Sequence, residues 1–171
     1  MNGRKLIAGF TAIILAVCIC TNTLARDDSP GSAVSPDQVH GDNYRVERAY
    51  LVSIHVPNGD VDRVLKAVVN TIGLEYGKYD QVAYLDAPGI EQFRSRSGSK
   101  SGAESSAERV PTTNVSFSIP WDDTKLRKAI DAAYRAHSYE EPVIYIREIW
   151  RTRETNPDQG NPNRWWNQKS Q

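Results

Sequence analysis

His137, Glu140 and Glu141 set an imidazole and two carboxylates within one short run, where nitrogen and oxygen ligands for a metal lie close along the chain. Such a set suits a divalent ion of the zinc, copper or nickel type. A metal needs about three or four converging ligands, and His55 or a neighbouring subunit would have to complete the group. The alternative is structural: His137 continues the apolar face of a helix and ends it, where the helix dipole favours a positive ring. Glu140 would then bond backbone amides or another subunit. A second chemical candidate is the segment 87–108, in which Arg94, Arg96 and Lys100 alternate with Gly98 and Gly102. Cations and free backbone amides of this kind can cradle a small anion or hold a partner. There is no Walker pattern to orient phosphates, so a solvated loop is the competing reading.

Signs of an enzyme are poor. No residue stands in a nucleophile elbow, and of the three histidines His40 falls in a polar leader. The expectation is a non-enzymatic binding or regulatory protein that takes a metal ion or small anion at subunit clefts, or a partner through the 87–108 loop. Two alternatives stay open: a structural envelope-interaction module using the C-terminal tail, and a metal-dependent hydrolase with His137, Glu140 and Glu141 at an intersubunit site.

The elements that must position these residues follow from periodicity. Residues 46–56 alternate as a strand, with Val52, Ile54 and Val56 on one face and Leu51, Ser53 and His55 on the other. Pro57, Asn58 and Gly59 interrupt it, and Asp60 can cap a helix that carries Val61, Val64, Leu65, Val68, Val69 and Ile72 as one stripe before Gly73 stops it. A second strand is expected over 79–86 and a third over 109–119. Asp122 or Asp123 can cap a second helix with Leu126, Ala129, Ile130, Ala133, Tyr134 and His137 on one face. Pro142 closes the turn, and Val143, Ile144, Tyr145, Ile146, Ile149 and Trp150 read as a last strand. The order is a ferredoxin-like βαββαβ α+β sandwich with both helices on one face of an antiparallel sheet. The other face, with Leu51, Ser53, His55, Ala83 and Leu85, is expected to be half-buried in an oligomer.

Arg4 and Lys5 precede an apolar run over 6–20, and Thr23-Leu24-Ala25 offers small residues for cleavage, so residues 1–25 read as a signal peptide. The run is too short to span a bilayer, which leaves no membrane span after cleavage and an exported, periplasmic or secreted product. Leu15-Ala16-Val17-Cys18 gives a lipoprotein as the lesser alternative. Cys18 and Cys20 both lie in the removed segment, so the mature chain has no thiol or disulfide. Losing Arg4 and Lys5 from 21 basic and 21 acidic residues leaves a slight negative charge, and nothing suggests nucleic acid as a partner. Residues 26–43 read as a flexible leader and 44–151 as one domain. Residues 152–171 form a polar tail whose paired Trp165 and Trp166 serve as a latch, a subunit cover or a partner contact. Trp121 reads as packing beside a helix start. Asn114-Val115-Ser116 is a glycosylation sequon, but inside a predicted strand.

One stretch of motifs carries a resemblance. Gly77-Lys78-Tyr79-Asp80-Gln81-Val82-Ala83-Tyr84, then Gly89, Phe93 and Gly98, and finally Ala136-His137-Ser138-Tyr139-Glu140-Glu141-Pro142 resemble the inserted domain of the Nif-three-like proteins. The match spans roughly 49–146. That domain is similar to the PII and CutA proteins, so the resemblance implies a homotrimer with sheets packed inward. It also implies a long partner-binding loop between the second and third strands. Full-length relatives carry a two-metal site on flanking domains that has no counterpart here, so their hydrolase activity is not implied. This chain also departs from the family pattern at Ser95 and Ser101, where the family has loop prolines, and at Ser138, where it has the proline after the histidine. A looser loop is expected from these exchanges.

Overall fold

The computed structural model describes residues 35–156 and 160–168. The signal-peptide and lipobox readings and the first half of the leader therefore fall outside the described residues. Ahead of the predicted domain, Pro36–Gln38 makes one 3-10 turn and β1 (His40–Gly41) pairs with the start of β2 (Tyr44–Pro57). Backbone pairing of this kind needs no apolar side chain, which is why the polar composition of residues 35–43 gave no sign of it.

The other elements are α1 (Val61–Ile72), β3 (Tyr84–Leu85), β4 (Gly89–Phe93), β5 (Glu108–Pro120), α2 (Asp123–Ala136) and β6 (Ile144–Glu154). β2 runs between β5 and β6, and β3 and β4 pair in turn with the far edge of β5, every pairing being antiparallel. This is a ferredoxin-like α+β sandwich. Val52, Ile54 and Val56 of β2 and Val115, Phe117 and Ile119 of β5 face both helices and are sealed from solvent. α1 adds Val61, Val64 and Val68, whereas α2 buries Ala129, Ala132 and Ala133. Three alanines let α2 approach closely, so Leu126 and Ile130 need only flank the core, and Tyr134, expected inside, stands 47% exposed.

The helix ends show which capping expectations the chain meets. Asp122 caps α2, its Oδ1 accepting from the amides of Thr124 at 2.8 Å and Lys125 at 3.0 Å. Asp60 occupies the equivalent position before α1, but its side chain caps no amide. It pairs instead with Arg63 at 2.5 Å. Gly73 ends α1 in the left-handed region at φ 77°, its amide returning to the Val69 carbonyl.

Two expectations change at the edge of the sheet. The strand expected over 79–86 is only the pair Tyr84–Leu85, because Tyr79 is turned back onto the backbone of Tyr76 and Gln81 stands in the left-handed region at φ 55°; pairing resumes at β4 inside the segment expected to be loop. The faces are also exchanged. Tyr84 lies opposite Ser116 and Leu85 opposite Val115, and directly opposed residues share a face. Tyr84 thus shares the open face, while Leu85 lies on the helix side and Ala83 packs against the core. No helix among the described residues is long and apolar enough to cross a membrane.

Candidate functional site

One corner of the molecule gathers most of the candidate residues. It is formed by the end of β2, the β4–β5 hairpin and the turn 137–143 that follows α2. His137 ends α2 with its amide on the Ala133 carbonyl, and its buried ring is used twice. Nε2 donates to the His55 carbonyl at 2.9 Å, and Nδ1 accepts from the Tyr139 amide at 3.0 Å. These partners fix the neutral tautomer with its proton on Nε2. The His55 amide meanwhile donates to the Val143 carbonyl at 3.0 Å, so the imidazole stands where the reciprocal backbone donor of a β ladder would be. Neither ring nitrogen of His137 is left for a ligand.

The remaining predicted ligands are dispersed. Glu140 accepts the amide of Lys100 through Oε2 at 3.0 Å, which ties the hairpin loop to the turn. Glu141 is exposed to solvent. The His55 side chain lies on the open face of the sheet, Nδ1 3.4 Å from Glu91 Oε1 and its ring edge-on to Tyr145 at 5.5 Å. Among the described residues no three His, Cys, Asp or Glu side chains converge to hold a metal.

Arg94, Arg96 and Lys100 are all exposed, on a loop that carries its own bracing. The Glu104 amide bonds the Ser95 carbonyl at 3.0 Å, Ser101 Oγ donates to Ser95 Oγ at 2.9 Å, and Ser99 Oγ donates to the Gly102 carbonyl at 2.8 Å. Ser95 and Ser101 therefore bond each other, so the loop is held by side chains where a looser loop was expected. Phe93, at its base, packs edge-on against Tyr139 at 5.2 Å. Burial pushes the Tyr139 hydroxyl up from its usual value, with the nearby Glu91 and Glu108 charges adding to it.

Asp60 belongs to the same corner. Its carboxyl is held below the usual carboxylate range, chiefly by the Ser138 hydroxyl and, against a burial penalty, by Arg63. A depressed folded value means stability that is present above the ordinary carboxylate pKa and is lost as pH falls through the lowered one. Asp60→Asn should accordingly lower the melting temperature at neutral pH, and the gap to the parent should close as pH drops below about 4. Thermal melts followed by circular dichroism at several pH values check this; a constant gap from neutral pH down to strongly acid pH would contradict it.

Sequence reasoning missed the cleft beside His55. It has a volume of about 350 Å³ and is lined by His55, Asp86, Glu91, Thr112, Asn114 and Tyr145, among others. Glu91 carries no signal in the sequence: its segment reads as loop, and in Gly89–Phe93 the apolar Ile90 and Phe93 stand three apart rather than alternating. Farther along the open face, Tyr76 donates to the Thr152 carbonyl at 2.6 Å and lies against Arg151 and Arg153. The tail rests on this region through Arg164 and Glu154 at 2.8 Å, with Arg164 over the Trp166 ring.

No family model and no curated protein matches the sequence. The fold is similar to a Bacillus cereus protein related to NIF3. The two share 25% identity at a TM-score of 0.51, over 61% of this chain and 26% of the relative. The chain thus spans about a quarter of that protein's length. CutA1 from Oryza sativa matches at 10% identity and a TM-score of 0.43, over 61% of this chain and 82% of its own. GlnK of B. subtilis matches at 12% and 0.40, over 60% and 86%.

Proposed function

We propose that this chain is a non-enzymatic exported binding protein, similar to the Nif-three-like inserted domain, which assembles as a trimer and captures an acidic partner through the loop 94–107. The observation that carries the reading is the combination of a braced loop with three outward cations. Side-chain bonds within the loop, the Lys100–Glu140 link and the Phe93–Tyr139 contact hold its base, while Arg94, Arg96 and Lys100 face solvent. A prefolded loop loses less entropy on binding than a disordered one. Assembly is supported by the open face and the outer strand β6, where Tyr145, Ile146 and Trp150 are exposed and one edge of the strand has no partner within the described residues.

Exchange of Arg94, Arg96 and Lys100 together for serine tests the reading, with a fluorescent hexaglutamate peptide as probe and native mass spectrometry reporting assembly. The parent should be a trimer that binds the peptide with an affinity falling as salt rises. The triple variant should keep its mass and lose at least about tenfold in affinity. Equal binding by the variant, or a bare monomer, would sink the proposal. A second reading rests on Trp165, which is 62% exposed at the end of the described tail. If the tail makes the contact, removal of 160–171 abolishes peptide capture and the loop exchange does not.

A further inference from the structure

A cleft larger than the one beside His55 lies where the tail returns to the domain. Its volume is about 480 Å³, and three stretches far apart in the sequence build it: the turn 76–79, the end of β6 and the tail residues 164–167. Sites for small organic molecules fall in this size range. Each wall is held in place before anything binds. The Tyr76 amide donates to the Tyr79 carbonyl at 2.7 Å and the Tyr79 amide to the Tyr76 carbonyl at 3.1 Å, with Gly77 supplying the positive φ of 67° that so tight a turn needs. On the tail side, Arg164 Nη2 donates to Glu154 Oε1 at 2.8 Å, and Asn167 bonds back to the carbonyls of Arg164 at 2.9 Å and Asn161 at 2.8 Å. Walls fixed in this way lose little entropy when a ligand arrives.

The charge of the lining selects an anion. Lys78, Arg153 and Arg164 face Glu154 as the one carboxylate of the lining, and Glu154 is already engaged by Arg164. Arg153 has only a share in Glu47, 3.5 Å away, because the same carboxylate lies 2.8 Å from Arg151 and 3.8 Å from Arg45. Lys78 is exposed and makes no ion pair among the described residues. Cations left in surplus along a concave wall concentrate positive potential in the space they enclose. The rest of the lining selects a ring. Tyr79 is 64% and Trp166 41% exposed, so the turn and the tail both present aromatic surface to the solvent side of the cleft. A flat ring gains by packing on such surfaces. An inorganic anion would leave them in water, and an uncharged aromatic would leave the cations uncompensated.

We propose that this cleft binds a small aromatic carboxylate, its ring on Tyr79 and Trp166 and its carboxylate on Lys78, with the Arg153 charge behind it. The site is separate from the cationic loop 94–107 and stands or falls independently of it. The probe is 3-phenylpropionate; 3-phenylpropanamide keeps the ring without the charge, and propionate keeps the charge without the ring.

Amide chemical shifts of the full mature chain should move with 3-phenylpropionate at 76–79, 153–154 and 164–167, and far less with either counterpart at equal concentration. Lys78→Glu reverses a charge at an exposed turn position and should weaken binding by at least about tenfold. Trp166→Ala should weaken it several-fold. Should that exchange release the tail, Tyr79→Ala tests the ring contact from a turn that backbone bonds hold, and should also cost several-fold with the melting temperature unchanged. The triple exchange of Arg94, Arg96 and Lys100 should bind the probe as the parent does, and Lys78→Glu should keep hexaglutamate binding, so the two readings fail separately. No shift with 3-phenylpropionate, equal binding of the amide or of propionate, or unchanged affinity in Lys78→Glu and in both aromatic variants would overturn the proposal.

Discussion

Replacement of Arg151 by alanine is expected to cost about 3 kcal/mol of folding stability, read as a fall in the denaturant midpoint. Only 7% of this residue is exposed. Its Nε and Nη2 reach Glu47 Oε1 at 2.9 and 2.8 Å, Nη1 donates to Ser118 Oγ at 2.9 Å, and the guanidinium lies 5.1 Å from the centre of the Tyr76 ring. Every bond is made by a planar fork that no other side chain reproduces, so Arg151→Lys should recover little. The cost arises mainly from what is left behind. Glu47 loses its closest counter-charge and keeps only Arg153 at 3.5 Å and Arg45 at 3.8 Å. The converse exchange, Glu47→Gln, leaves a charged guanidinium buried beside a neutral amide and should cost a similar amount. A loss below about 1 kcal/mol in both variants would place this pair with ordinary surface ion pairs, against the geometry.

The same residue marks a boundary between what the sequence discloses and what it does not. The alternation of Val52, Ile54 and Val56 and the stripe from Val61 to Ile72 predict β2 and α1, with Gly73 as the stop, because burial of one face leaves a period in the residues themselves. Arg151 has no such mark. In the sequence it belongs to a polar end of β6, and its burial depends on Glu47, 104 positions away. The cleft was hidden for the same reason: His55 meets Glu91 across 36 positions, and β4 is too short to stand out from a segment rich in glycine, serine and charge. The reversed faces of Ala83 and Leu85 have a different cause. A two-residue strand carries alternation but no marker of which side is inward, and only its pairing with Val115 and Ser116 decides it.

His137→Ala is expected to cost about 3 kcal/mol, and the loss should be the same with and without a chelator. The ring supplies the donor for the His55 carbonyl, 82 positions away, and the acceptor for the Tyr139 amide. Removing it unpairs two backbone groups and opens a void at the end of α2, where only 8% of the residue is exposed. His137→Gln offers an amide N–H within reach of the same carbonyl and should recover part of the loss, which distinguishes lost hydrogen bonding from lost volume. The turn 137–143 also carries Tyr139 against Phe93 and Glu140 against the Lys100 amide. The alanine variant should therefore loosen the cationic loop as well, giving faster amide exchange at Lys100 than global destabilisation alone accounts for. Were His137 a metal ligand instead, a chelator would bring the parent down to the variant's stability and glutamine would recover nothing. The histidine of the motif thus earns its place by closing the last rung between β2 and the turn, and the chemistry of this corner passes to the side chains that rung positions: His55 on the open face, Glu91 beside it, and the cations at the tip of the loop.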